Sequence, residues 1–201
     1  MADRKLRLGF LASHNGSNMQ AIIDAIKAGE LYAEACVLIS NNSDSGAMQR
    51  AEHENIPHYH ISSKTHPGEG EEDSAITGTL EKHEVDLVCL AGYMKKIGSE
   101  TLRRFNGKIV NIHPALLPKF GGKGMYGRHV HEAVLEAGET TTGATVHLVD
   151  EIYDHGRILA QEEVPVNADD NPESLAGRVH KTEHKLYTQT LQKIAEGEIT
   201  I

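Results

Sequence analysis

Apolar positions in the first part of the chain fall into short, almost unbroken runs, and between them lie stretches with helical spacing. Leu6 to Ala12 is the first such run, and it ends in Ser13-His14-Asn15-Gly16-Ser17-Asn18. Met19, Ile22, Ile23 and Ile26 then recur on one helical face, with Gly29 as the stop. Ala35 to Ser40 reads as a second strand, followed by a helix over about 46–54 and a weak third strand near 58–61. The polar stretch 62–73 reads as a loop, and a helix over about 74–83 leads into Val85 to Leu90, the most apolar strand. A short helix near 98–105 and a strand over 108–112 complete five alternations of strand and helix, the pattern of a doubly wound parallel sheet. Ligands in such sheets bind beyond the carboxyl ends of the strands. Residues 13–18, 92–97 and 111–113 all lie at such ends and are expected to converge on one crevice.

The pattern changes after residue 118. Residues 119–127 are dense in glycine, and a helix is expected over about 128–137. Two strands near 144–149 and 157–165 flank the Asp150–Gly156 turn and are expected to pair antiparallel. A long helix over about 172–195 closes the chain. The fold expected is therefore α/β, Rossmann-like and doubly wound, mostly parallel with an antiparallel C-terminal extension. It forms a single domain, with residues 1–118 as a nucleotide-binding-like half and 119–201 as the catalytic half.

Composition narrows the partners. Twenty Lys and Arg against 29 Asp and Glu give a net charge of −9, which argues against nucleic acid or an anionic membrane. Cys36 and Cys89 each sit in an apolar run and read as buried thiols. With neither a signal-peptide core nor an apolar run of membrane-spanning length, the chain reads as soluble and cytoplasmic.

The candidate chemistry starts at Asn111-Ile112-His113-Pro114. Two residues apart on a strand, a carboxamide and an imidazole share a face. One can donate to a developing oxyanion and the other can move a proton, a combination suited to acyl transfer. A capped loop carrying a surface histidine gives the same signature, so the pair alone does not establish catalysis. Asp154, in a tight turn before Gly156, would favour the imidazolium beside His113 and raise its pKa; by itself it also reads as a turn former. The 13–18 turn opens a helix and offers amides and a helix dipole to a phosphate. An ordinary cap by Ser17 or Asn18 is the alternative. The turn lacks GxGxxG spacing, and no GxxxxGK[ST] is present, so neither a dinucleotide nor ATP is indicated. His129-x-His131 and His180-x3-His184 have metal-ligand spacings, but they lack the accompanying glutamate or cysteines, and no metal is expected.

In order, Asn15-Gly-Ser-Asn18, Leu90-Ala-Gly-Tyr-Met94, Asn111-Ile-His113-Pro-Ala-Leu-Leu-Pro118 and Gly143…His147…Asp154-x-Gly156 closely resemble the folate-dependent formyltransferases that act on glycinamide ribonucleotide. The likeness runs from about residue 6 to residue 197. It implies formyl transfer from 10-formyltetrahydrofolate, as co-substrate, to the glycine amine of 5'-phosphoribosylglycinamide in purine biosynthesis, by a monomer or homodimer. By this resemblance Asn111, His113 and Asp154 would be catalytic, and Gly16, Ser17, Asn18 and Glu183 would hold the ribonucleotide. Met94, Lys95, Lys96, Ile97 and Asn111 would border the folate. His14 stands where relatives carry glycine, Lys95-Lys96 where arginine and an apolar residue are familiar, and His180 where glutamine is common. The 121–127 loop is longer than in the shortest members.

Three other readings share parts of this pattern. A 10-formyltetrahydrofolate hydrolase would keep the trio but normally adds an N-terminal regulatory domain. Methionyl-tRNA formyltransferase would need a further C-terminal domain and a basic surface. A non-catalytic ribonucleotide-binding module would have no need of a proton shuttle.

Overall fold

The computed structural model describes residues 4–201. Seven strands form one sheet in the order β3-β2-β1-β4-β5-β6-β7. They are β1 (Leu6–Ala12), β2 (Ala33–Ser40), β3 (His58–His60), β4 (Leu87–Leu90), β5 (Ile109–His113), β6 (Thr141–Leu148) and β7 (Ile158–Pro165). The first five are parallel to one another, whereas β6 runs antiparallel to both β5 and β7. The expected doubly wound sheet with its antiparallel extension is the one observed.

Helices cover both faces. On one side α1 (Ser17–Ala28), α2 (Gly46–His53) and α6 (Pro172–Ala195) help bury Phe10, Leu38, Cys89 and Val110. On the other, α3 (Glu71–Lys82) and α4 (Ser99–Arg104) cover Leu11, Ile39, Val88 and Ile109. The central strands are therefore buried on both faces, and they read as continuous apolar runs instead of alternating ones. α5 (Arg128–Glu136) contributes Val134 to a smaller cluster with Leu175 and Val179 of α6.

Element boundaries differ from expectation where local chemistry outweighs hydrophobicity. α3 begins at Glu71, not 74, because Glu71, Glu72 and Asp73 complement the helix dipole and Gly70 takes a left-handed conformation at the cap. β4 begins at Leu87, since Val85 and Asp86 are still in the turn. β6 starts at Thr141 and runs through Gly143, where a Cβ would lie 2.1 Å from the Glu162 carbonyl of β7. A glycine is required there because two strands approach closely.

Tyr187 of α6 ties this scaffold to the strands that carry the site. Fully buried, it shares its hydroxyl hydrogen between the carbonyls of Val110 (3.0 Å) and Leu90 (3.2 Å). Tyr187→Phe leaves both carbonyls without this donor and is expected to cost about 1–2 kcal/mol. Thermal unfolding should show a melting point lowered by several degrees; an unchanged melting point would mean that the carbonyls are satisfied without the hydroxyl.

Candidate active site

The strand order reverses between β1 and β4, since β1 leads to β2 on one side and β4 to β5 on the other. A crevice opens at such a switch point. Ser13, the residue after β1, holds its two lips in register. Its Oγ donates to Asn41 Oδ1 (2.6 Å) and accepts from the Met94 amide (2.7 Å), while its own amide donates to the Gly92 carbonyl (3.0 Å). The cleft beyond has a volume of about 670 Å³. It brings together the catalytic, ribonucleotide and folate candidates of the sequence: Gly16–Asn18, Met94–Ile97, Asn111, His113, Asp154 and Glu183.

At one end lies the amino terminus of α1. Gly16 is the capping residue, left-handed at φ 70°, and no side chain caps the helix. The cap by Ser17 or Asn18 considered from sequence is therefore not formed, and the first-turn amides lack a capping acceptor. α2 fixes the turn: the Ala47 amide donates to the His14 carbonyl (3.0 Å), and Arg50 holds the Asn15 carbonyl (2.8 Å) and Oδ1 (3.2 Å). Anything larger than glycine at 16 would meet Ala47, whose Cβ lies 2.8 Å from the position of an added Cβ. Across the cleft α6 presents Glu183, 6 % exposed, whose carboxyl is pushed up to about 8 by burial against a small opposing effect of the Asn18 amide.

The centre of the cleft is built on β5 and β6. Asn111 and His113 share one strand face, as the spacing predicts, and Asn111 pairs in register with His147 of β6. The Asn111 carboxamide donates to His147 Nε2 (3.1 Å), and His147 Nδ1 donates to the Leu148 carbonyl (2.8 Å). That carbonyl can only accept, so the His147 tautomer is set, and with it the orientation of Asn111. One N–H of the Asn111 amide is thereby used and the other is left for a ligand. His147 is a positioning residue, present in the sequence motif but with a role that only its pairing with Asn111 shows. Its signal was the register: it stands directly opposite the asparagine.

His113 is 3 % exposed, and its Nε2 donates to the Phe120 carbonyl (2.7 Å). Nδ1 is the nitrogen left for chemistry, and it faces Asp154 Oδ2 at 3.6 Å. The other carboxylate oxygen lies 3.5 Å from His147 Nε2, and the Gly122 amide donates to Oδ2 (2.9 Å). Asp154 thus stands between two imidazoles at ion-pair distance from each. Its backbone is left-handed (φ 55°), a conformation that Asp tolerates better than most residues. At Gly156 a Cβ would lie 1.9 Å from the Leu148 carbonyl, so only glycine lets the turn close and bring Asp154 to His113.

The expected rise in the His113 pKa is not found. Burial lowers it, and the Asp154 carboxylate and the Phe120 carbonyl oppose burial without overcoming it. The sequence shows the charge partner but not the depth at which the imidazole sits. His113 is therefore neutral at pH 7, with Nδ1 able to accept a proton. For Asp154, burial pushes the carboxyl up, but His147, His113 and the Gly122 amide together carry it below its ordinary value. A neutral base beside an ionised carboxylate can take a proton and hold it as an ion pair.

Along the other wall Lys95 and Lys96 are exposed, Ile97 is buried, and Met94 is 41 % exposed at the mouth, facing the turn that carries the exposed Ile152 and Tyr153. The glycine-dense 119–127 segment closes the remaining side through Gly122–Gly127. Among the described residues no group of three or more His, Cys, Asp or Glu is arranged to hold a metal. No helix among those residues is long and apolar enough to cross a membrane.

Comparison with known proteins fits this geometry. A model for the formyl transferase family matches residues 6–191. The chain is 44 % identical over 196 residues to a protein from Vigna unguiculata named phosphoribosylglycinamide formyltransferase, chloroplastic; the match covers 98 % of this chain and 63 % of that one. It superposes on the crystal structure of glycinamide ribonucleotide transformylase 1 from Symbiobacterium toebii with a TM-score of 0.93 and 35 % identity, over 100 % of this chain and 92 % of the other. A formyltetrahydrofolate deformylase from Pseudomonas syringae shares the fold, with a TM-score of 0.88 at 24 % identity over 99 % of this chain and 64 % of that one.

Proposed function

The chain belongs to the formyl transferase family, and from that premise we propose that it moves the formyl group of 10-formyltetrahydrofolate onto the glycine amine of 5'-phosphoribosylglycinamide, a step of purine (IMP) biosynthesis. The observation that carries this reading is the juxtaposition, in one cleft, of an uncapped helix terminus with Asn111, His113 and Asp154. The terminus receives a phosphate, and the trio sits where the amine at the far end of the same molecule would arrive. Gly16, Ser17 and Asn18 hold the phosphate and Glu183 the ribose. Met94–Ile97, Asn111 and the turn before Asp154 border the folate.

The chemistry follows from the protonation states. The neutral amine attacks the formyl carbon, and the carbonyl electrons move onto oxygen. The free N–H of Asn111 donates to that oxyanion, and loss of such a donor costs about 3–4 kcal/mol of transition-state stabilisation. The attacking nitrogen now carries a positive charge and gives a proton to His113 Nδ1, whose imidazolium is held by Asp154. His113 returns the proton to the folate nitrogen as the bond from that nitrogen to the formyl carbon breaks. The products are a formamide and tetrahydrofolate. Activation resides in the N-formyl group itself, so neither metal nor ATP takes part in the step. All the residues named come from one chain, and a cytoplasmic location belongs to the same proposal.

The amine separates this reading from hydrolysis of the formyl-folate. Deformylation, followed by absorbance, should proceed only when the ribonucleotide is present; turnover with water alone would make the protein a hydrolase. The phosphate assignment has its own check in Gly16→Val, which strains the left-handed turn and drives a side chain into Ala47. The ribonucleotide KM should rise at least about tenfold, the size of losing one or two charge-assisted bonds, with the folate KM nearly unchanged. A shift in the folate KM instead would move the phosphate away from this turn.

A further inference from the structure

We propose that His180 receives the ribonucleotide phosphate together with Ser17, and that docking draws a proton onto its imidazole. The proposal rests on the reading of the cleft given above and adds to it a proton-coupled binding step. His180 lies one turn before His184 and three residues before Glu183 on α6, with its Nε2 3.4 Å from Ser17 Oγ and 3.7 Å from Glu183 Oε2. The His180 and His184 rings are 5.6 Å apart. Across the cleft, α5 contributes His131, only 5 % exposed, whose Nδ1 has no hydrogen-bond partner among the described residues. Asn18 Oδ1 and His184 Nε2 are likewise buried and unpartnered there. Unsatisfied buried polar atoms are rare in folded proteins, and two of these belong to residues that line the cleft, Asn18 and His131, where they point to a polar ligand.

The charges around the cluster decide how a dianion would be met. Arg50 of α2 is the fixed cation beside His184, and its Nε and one Nη are already committed to Asn15. His14, on the loop before α1, lines the same end of the cleft. His131 is pushed down to about 4, by burial first and then by His180 and His113. Burial lowers His184 as well, with His180 and Arg50 adding to it. Glu183, raised to about 8, is largely protonated at pH 7 and supplies no counter-charge to the dianion or to an imidazolium. His180 is also held down by burial, but it is about half exposed and stands nearest Ser17. Of these imidazoles it is the one whose Nε2 reaches Ser17, so a proton placed there lies closest to the phosphate. In the free protein His180 and Glu183 hold one proton between them; docking of the dianion brings in a second.

A dianion within hydrogen-bonding distance raises a histidine pKa by roughly one to three units. Affinity is then greatest when His180 can be protonated, and it is lost as pH rises through the bound-state pKa. The formylated ribonucleotide is the better probe, because its amide nitrogen does not titrate as the glycine amine would. Calorimetric titration at pH 7, in buffers of different ionisation enthalpy, should show uptake of about half a proton, with affinity falling about tenfold from pH 6.5 to 8.5. His180→Gln should bind more weakly without proton uptake. His180→Lys should recover affinity, also without uptake and with little pH dependence. Uptake by His180→Gln equal to that of the unmodified protein, or no uptake by the unmodified protein, would overturn the proposal. Failure of the unmodified protein to bind the ribonucleotide at all would overturn the reading of the cleft, and this proposal with it.

Discussion

Asp154→Asn is expected to lower kcat by about three orders of magnitude, the middle of the range for a lost proton-transfer partner, while the ribonucleotide KM stays within a few-fold. Asn matches Asp in shape and also tolerates the left-handed backbone found there (φ 55°), so the turn should survive. What disappears is the negative charge 3.6 Å from His113 Nδ1 and 3.5 Å from His147 Nε2. Without it, the proton taken from the attacking amine has no counter-charge in a buried site. A second readout separates this role from a structural one. Asp154 raises the His113 pKa against burial, so its neutralisation should move the His113 titration, followed by imidazole NMR, further below its already depressed position. A loss of turnover with that titration unmoved would mean that Asp154 acts elsewhere.

His113→Ala is expected to be at least as damaging, with kcat down about 10³–10⁴-fold. It removes the nitrogen that carries the proton from the amine to the departing folate. The substitution also leaves the Phe120 carbonyl without its 2.7 Å partner, so the 119–127 segment should loosen and the folate KM should rise a few-fold. The ribonucleotide KM, set at the far end of the cleft, should hold. Equal losses in kcat and in ribonucleotide affinity would show that His113 supports the ground-state complex instead of the reaction.

Much of this site is legible in the sequence because strands and turns obey short-range rules. Period-two alternation puts Asn111 and His113 on one face, and the strand-to-helix order places residues 13–18, 92–97 and 111–113 at one edge of the sheet. Glycines mark where the backbone must bend or approach closely, as at Gly16 and Gly156. What the sequence hides depends on depth and on partners distant in the chain. The His113 pKa was expected to rise because the carboxylate is visible in the motif, whereas the burial that outweighs it emerges only when β5, β6 and the 119–127 segment come together. His147 acquires its role through register with Asn111 across two antiparallel strands. Ser13 acquires its own by bridging β2 and β4, which lie on opposite sides of β1. The start of α3 shifted because acidic residues that look like a solvated loop are also what the first turn of a helix favours.

The fate of the formyl carbon tests the proposed activity most directly. With carbon-13 in the formyl group of 10-formyltetrahydrofolate and equimolar glycinamide ribonucleotide, a single turnover followed by NMR should move the label into a formamide on the ribonucleotide, with tetrahydrofolate released in equal amount. Label recovered as free formate, or left on the folate while the ribonucleotide is bound, would contradict it.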